Sequence, residues 1–396
     1  MTPHSSSFVV GLALLFAAGC GNEPDPVALG PCAAKLAECL SSQQTCVEDT
    51  SGARCESCAT GKFAAAEGCL PLKGIPLVHD FAELTVGPGE EVGNDDALCQ
   101  SWTLNNPEEI WVNAVELEQD ELSHHSIWTY VPSTSFEGPD GIWKCTDRGY
   151  TSTGAAIAGG VLYAQSTQAP HEVQRFPNDA AIRIAPYSRI IGDIHLLNAS
   201  TESVTGHARL TLYTLAAQDV GVKLVPFQLH YRDIHVPAHA STRLFGECDL
   251  DSRFLTASGE PFQMDLYYVL PHTHQRGKRL FIDILGGPDD KKRIFDVGAY
   301  NGEARGRAYD KPVHVANAQG FRWGCEYENP SDTTYEWGYN LEMCQFLGFA
   351  DMKVGFSSRI DMGAEVPPDG DMLQFTGACN TLAVLWDYNK AGGTPP

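Results

Sequence analysis

The chain has 396 residues, too many for one ordinary core, so its length suggests two or three domains. Hydrophobic residues make up 43% and aromatic residues 10%, which excludes a disordered chain. With 27 Lys+Arg against 50 Asp+Glu the formal charge is -23, so the chain lacks the basic face that nucleic acid requires. Acidity of this kind instead fits solubility outside the cytoplasm.

The first element is a targeting segment. "FVVGLALLFAAGC" has the apolar length of a signal peptide and is too short to span a membrane. Residues 1–19 therefore read as a signal peptide. Ala17-Ala18-Gly19-Cys20 resembles the lipobox of bacterial lipoproteins, which implies a lipid on Cys20. Gly21 differs from the aspartate that retains some lipoproteins at the inner membrane, which points to the outer membrane. The alternative is an ordinary cleaved signal peptide with an incidental cysteine.

Setting Cys20 aside leaves twelve of the 13 cysteines, an even number that suits disulfides in an oxidising compartment. Cys32, Cys39, Cys46, Cys55, Cys58 and Cys69 crowd into residues 20–72. "CESC" at Cys55 and Cys58 is compatible with zinc, but so short a segment has little core and needs covalent staples. The segment loosely resembles an EGF-type knot and reads as a spacer or interaction unit.

From Lys73 onward short strand-like runs recur between Gly, Pro, Asn and Asp clusters, among them "EIWVNAVEL", "SIWTYV", "IIGDIHLL" and "RLFIDIL". "HARLTLYTL" alternates apolar and polar positions as a half-buried strand does. No long 3.6-residue periodicity interrupts them, so the region is all-β. Its length suits two sandwiches, 73–215 and 216–396, with the seam in "AAQDVGV" from Ala216 to Val222. "TGAAIAGG" lacks the setting of a phosphate loop and reads as a flexible loop.

Four positions in this region bear on metal chemistry. His124 and His125 are adjacent, and on a regular strand they point to opposite faces. His195 follows in "GDIHLLNAS", while His272 and His274 in "YVLPHTHQRGK" share one strand face. Met343 precedes Cys344 in "GYNLEMCQFLGF". Taken singly, each has a structural explanation: a polar face, a satisfied histidine, or packing filler. His230, His235 and His239 read as surface or core polar residues, and His207 is the rival to His195.

Their order resembles the type II copper ascorbate-dependent monooxygenases, the family of peptidylglycine alpha-hydroxylating monooxygenase and dopamine beta-monooxygenase. The resemblance runs from Asp80 to near Cys379 and rests on the His-His pair, His195, His-Thr-His-x-x-Gly-Lys and Glu-Met-Cys. "FQMDLYYVLPHTHQRGK" and "LYAQSTQAPHEVQRFP" also resemble family segments. It implies two jelly-roll-like β-sandwich domains after the disulfide-rich module. One copper would take His124, His125 and His195 and transfer electrons, and a second would take His272, His274 and Met343 and activate O2. Two histidines and a thioether form a mixed N/S set that favours Cu(I).

Disulfides Cys99–Cys145, Cys325–Cys344 and Cys248–Cys379 are likewise implied by the resemblance, whereas the family's cysteine soon after its His-His pair is absent. The function implied is hydroxylation of a C–H bond with O2 and a one-electron reductant such as ascorbate. The alternatives are a copper-binding or electron-transfer lipoprotein of the cell envelope and a surface binding module. Leu270 stands where peptidylglycine enzymes have a carboxylate-gripping arginine, and Gln345 and Leu347 replace their Asn and Tyr. Together with Phe349, Leu270 and Leu347 suggest a small, less polar substrate other than a peptidylglycine.

Overall fold

The computed structural model describes residues 30–386 except 94–96, 121, 299–303 and 339–340. The signal segment and Cys20 lie outside the described residues. Among those described, no helix is long and apolar enough to cross a membrane.

The chain is all-β: two jelly-roll-like sandwiches preceded by a small disulfide-rich module. In the module, helix Pro31–Ser41 starts with proline at its first position, where a missing N–H costs nothing. It packs on the hairpin Gln44–Asp49 with Gly52–Ser57, and a second hairpin pairs Lys62–Ala65 with Gly68–Pro71. Its cysteines bond first to third, second to fourth and fifth to sixth: Cys32–Cys46, Cys39–Cys55 and Cys58–Cys69.

The module is not a free spacer. Gly61 N–H donates to Glu116 Oε1 at 2.9 Å and Thr60 Oγ1 to Glu118 Oε1 at 2.6 Å. Glu116 lies on the central strand Ile110–Gln119 and is fully buried, with Val115 and Leu117 turned into the sandwich core. Cover on its outer face explains why this strand lacks a clean polar alternation.

The first sandwich packs Ala180–Ile184, Ile110–Gln119, Ala208–Leu215 and Ile75–Asp80 against a sheet built on Leu98–Thr103, Ser188–Leu197, Ser123–Pro132 and Gly160–Gln165. The short strand Val222–Lys223 pairs in parallel with Ala180–Ile184, so the chain still belongs to this sandwich beyond Ala216 and leaves it near Leu224. "TGAAIAGG" is no loop: Ser152–Ala158 is helical, with Gly154 N–H donating to the Thr151 hydroxyl as its cap. Cys99 bonds to Cys145.

The second sandwich has two six-stranded sheets. One contains Gln263–His272, Gln345–Asp351 and Val225–Tyr231, and the other contains Ala240–Asp249, Gly277–Leu285 and Gly320–Asn329. Cys325–Cys344 ties the two sheets together. Cys248–Cys379 joins Ala240–Asp249 to the junction between the strands Met372–Ala378 and Asn380–Leu385. The outer face of the first of these sheets carries Tyr267, Tyr268, Leu270, Leu347 and Phe349 into the apolar cluster of the first sandwich. Phe176 meets Phe349 with ring centroids 5.2 Å apart, so the sandwiches share a hydrophobic seam. The candidate site lies beside that seam.

Candidate metal centre

An irregularity in the sheet brings the adjacent histidines together. Ser123–Pro132 pairs with Ser188–Leu197 in regular register from Pro132↔Ser188 to His125↔His195, then shifts between Ser123 and His125. A bulge of this kind re-aims a side chain that a flat strand would send to the other face. The His124 and His125 rings lie 4.8 Å apart by centroid, and stand 5.0 and 4.5 Å from His195. Potential donor atoms of the three all lie within 4.8 Å of one another.

His195 is oriented from behind. Its Nε2 meets Glu91 Oε1 at 2.7 Å, while Nδ1 faces His125 Nε2 at 3.2 Å. Glu91 is carried by the short strand Glu91–Val92, which pairs with the end of the strand bearing His195. A Cβ on Gly93 would stand 2.5 Å from His195 Cδ2, so only glycine lets the chain pass so close to the ring.

His272 ends the strand Gln263–His272, opposite Gln345, and the chain then turns sharply through His274. Gly277 N–H donates to His274 O at 3.0 Å, and a Cβ on Gly277 would strike Thr273 Oγ1 at 2.0 Å. The turn is held by the fully buried Glu342 carboxylate, which accepts from His274 N at 3.0 Å and Arg276 N at 2.7 Å. Burial pushes the Glu342 carboxyl up to about 7, against the pull of those backbone donors.

Met343 follows directly and is 6% exposed. Its backbone is held from two sides, by Tyr327 O–H donating to its carbonyl at 2.6 Å and by the Cys325–Cys344 bond. Its sulfur accepts from Gln345 Nε2 at 3.2 Å.

The two histidine sets are not separated. His125 stands 5.4 Å from His272 and 5.8 Å from His274 by ring centroid, and donor atoms of these three also lie within 4.8 Å of one another. A hydrogen bond crosses the seam between sandwiches, from Ser166 Oγ to His272 Nδ1 at 2.8 Å.

Burial lowers the pKa of His124 and lowers those of His125 and His272 well below the usual value, with neighbouring histidines adding to the effect. Burial likewise takes His274 down to about 4. Neutral imidazoles offer the lone pairs that a metal needs. His124 Nδ1 and His274 Nε2 are buried with no hydrogen-bond partner. Orphaned nitrogens of this kind are rare in a folded protein and call for an explanation. Buried neutral imidazoles that share a cavity with the Met343 thioether are a donor set suited to a borderline or soft ion such as copper.

His207 lies outside the cluster, exposed and paired with Asp120 at 2.8 Å. His239 is exposed on Asp332, and His235 is exposed on its short strand. His230 belongs to neither histidine set, but it lines the same cavity as His125, His272 and Met343. That cavity measures about 260 Å³, with Leu270 and Leu347 on its apolar wall. Sequence reasoning passed over Ser166, Glu91 and Glu342. Ser166 lies inside the quoted "LYAQSTQAPHEVQRFP" and Glu342 inside "EMC", yet neither motif announces which nitrogen they meet.

No family model matches the chain, and no curated protein matches it. Among solved structures, the major capsid protein P2 from bacteriophage PM2 aligns with a TM-score of 0.31 and 9% identity, over 70% of this chain and 97% of that one. A tail fiber protein from an E. coli phage aligns with a TM-score of 0.17 and 9% identity, over 68% of this chain and 38% of that one. Likeness this weak has no bearing on the site.

Proposed function

We propose that the protein is an exported copper monooxygenase that hydroxylates a C–H bond of a small organic substrate. The observation that carries the reading is the pair of buried, unpartnered nitrogens, His124 Nδ1 and His274 Nε2, within two histidine sets that adjoin a cavity reached by Met343. The six disulfides among the described residues suit an oxidising compartment, in keeping with export.

His125 belongs to both sets, and each histidine offers one donor atom, so two ions need a division of labour. His124, His125 and His195 would hold one, and His272, His274 and Met343 the other. Copper held in this way supplies one-electron redox chemistry and O2 activation. The net reaction converts a C–H bond, O2, two electrons and two protons to C–OH and water. Two molecules of a one-electron reductant such as ascorbate would supply the electrons.

The chain's own residues have distinct parts. Ser166 occupies His272 Nδ1 and so leaves Nε2 as that ring's donor. Glu342 fixes the turn that carries His274, and the Cys325–Cys344 bond fixes the backbone beside Met343. Leu270 and Leu347 keep water from one wall of the cavity, which suits the positioning of an apolar C–H group.

The test is copper content, together with an X-ray absorption edge spectrum of the reduced protein. Two coppers per chain with sulfur scattering from the second set are expected. Ascorbate-driven O2 uptake would then rise with a hydroxylatable substrate. Bound copper with no uptake above the free-copper background across a broad substrate panel would leave the non-catalytic copper-binding reading. Failure to bind copper would overturn both.

A further inference from the structure

One cation in this cavity has no role in the sites described so far. Gln228, His230 and Arg232 alternate onto one face at the end of strand Val225–Tyr231, and all three line the cavity that holds His272 and Met343. Arg232 N–H donates to Ile360 O at 2.8 Å, which continues the parallel pairing and fixes where its side chain starts. The guanidinium carbon lies 5.7 Å from the Trp337 ring centroid, and Trp337 lines the same cavity. A guanidinium held against a ring face keeps its edge free for an in-plane acceptor.

Arg232 Nε is buried with no hydrogen-bond partner, and among the described residues no carboxylate forms an ion pair with Arg232. Its neighbour Arg359 on the adjoining strand is engaged, donating to Asp361 at 2.7 Å. His230, between them, is held neutral because burial takes it down to about 4, with Arg232 and Arg359 adding to the effect. Fixed positive charge therefore enters this part of the cavity at Arg232. Leaving a buried guanidinium donor unmatched is costly, and a ligand that pairs with it recovers that cost.

We propose that Arg232 forms a carboxylate subsite, which makes the substrate a small monocarboxylate with an apolar body. Its headgroup takes the guanidinium edge, and its body lies along Leu270 and Leu347 toward His272 and Met343. The assignment rests on the cavity being the substrate pocket of the proposed oxidation. It also changes what Leu270 means. Leu270 stands on the histidine-bearing strand where the peptidylglycine enzymes that the sequence resembles have an arginine, whereas Arg232 enters from the end of another strand, so the pocket would select a different shape of acid.

The experiment compares binding of octanoate and 3-phenylpropanoate with their primary amides, by calorimetry on metal-free and copper-loaded full-length protein. At least one carboxylate is expected to bind the wild type about tenfold to a hundredfold more tightly than its amide. Arg232→Gln should abolish that preference, and Arg232→Lys should keep part of it, since charge remains without the planar fork. Copper content of each variant is read in parallel. Carboxylate preference in a protein that binds no copper would sink the oxidation reading and leave the subsite standing. Equal binding of acid and amide by the wild type, or an unchanged preference in a folded Arg232→Gln protein, would overturn the subsite itself.

Discussion

Ser166 Oγ lies 2.8 Å from His272 Nδ1, so a side chain of the first sandwich orients a candidate ligand of the second. Ser166→Ala removes the contact and frees the ring to choose its tautomer. Losing a partner behind a metal-binding histidine typically weakens the metal by about 10- to 100-fold. Titration of the reduced protein with a Cu(I) competitor should show that loss at one site only, with the melting temperature little changed. Equal loss at both sites would contradict a role confined to His272.

Met343→Ile keeps a buried apolar side chain of similar bulk but removes the sulfur. Copper at His124, His125 and His195 should persist, while Cu(I) at His272 and His274 weakens and sulfur scattering disappears from the reduced edge spectrum. Unchanged Cu(I) affinity would show that Met343 is packing, as buried methionines often are.

Replacing both Cys325 and Cys344 by Ser opens a loop with a sequence separation of 19. Chain-entropy reasoning gives a loss of about 3 kcal/mol in stability. Because Met343 adjoins Cys344, Cu(I) affinity at the second set should fall more than at the first. Chemical denaturation and competitor titration on the same preparation separate the two effects.

Docking of the N-terminal module should depend on pH through Glu116. Burial pushes its carboxyl up, but donors from His171, Tyr213 and the Gly61 backbone outweigh this and hold it below the usual carboxylate range. A carboxyl depressed in the folded state contributes stability above its unfolded value and loses it as pH falls through the folded value. Hydrogen exchange in residues 30–72 should therefore accelerate below about pH 4. Glu116→Gln should produce a similar loosening at neutral pH, costing about 1–3 kcal/mol. Exchange that stayed the same in the variant would show that docking relies on other contacts.

Much of the architecture was readable in local pattern. Strand alternation such as "HARLTLYTL" identified an all-β chain, because successive strand residues face opposite sides, although the outer positions Thr211 and Tyr213 prove to be buried as well. "EIWVNAVEL" reads less cleanly, since Glu116 is buried beneath a module that no local window includes. The helix at Ser152–Ala158 escaped notice because "TGAAIAGG" is rich in glycine and too short for a periodic signal.

At the candidate site, the spacing of His272 and His274 predicts one strand face, but the strand ends at His272 and a turn carries His274, so the turn and not alternation brings their rings to 5.0 Å. That spacing could not say whether His124 and His125 converge, because this depends on a register shift against the strand bearing His195. Nor could it find Ser166, which meets His272 from the other sandwich, or Arg232, which lines the same cavity from another strand.

Residue order was enough to establish the strand-rich class, the even cysteine count outside Cys20, and the residue types available to a metal. Packing was needed to show that His125 reaches His272 and His274, that Glu342 is buried beneath the turn, and that an unmatched guanidinium enters the cavity. The reason is physical. Periodicity and composition are written in neighbouring residues, whereas convergence, burial and unpaired charge arise only when distant strands pack and exclude water.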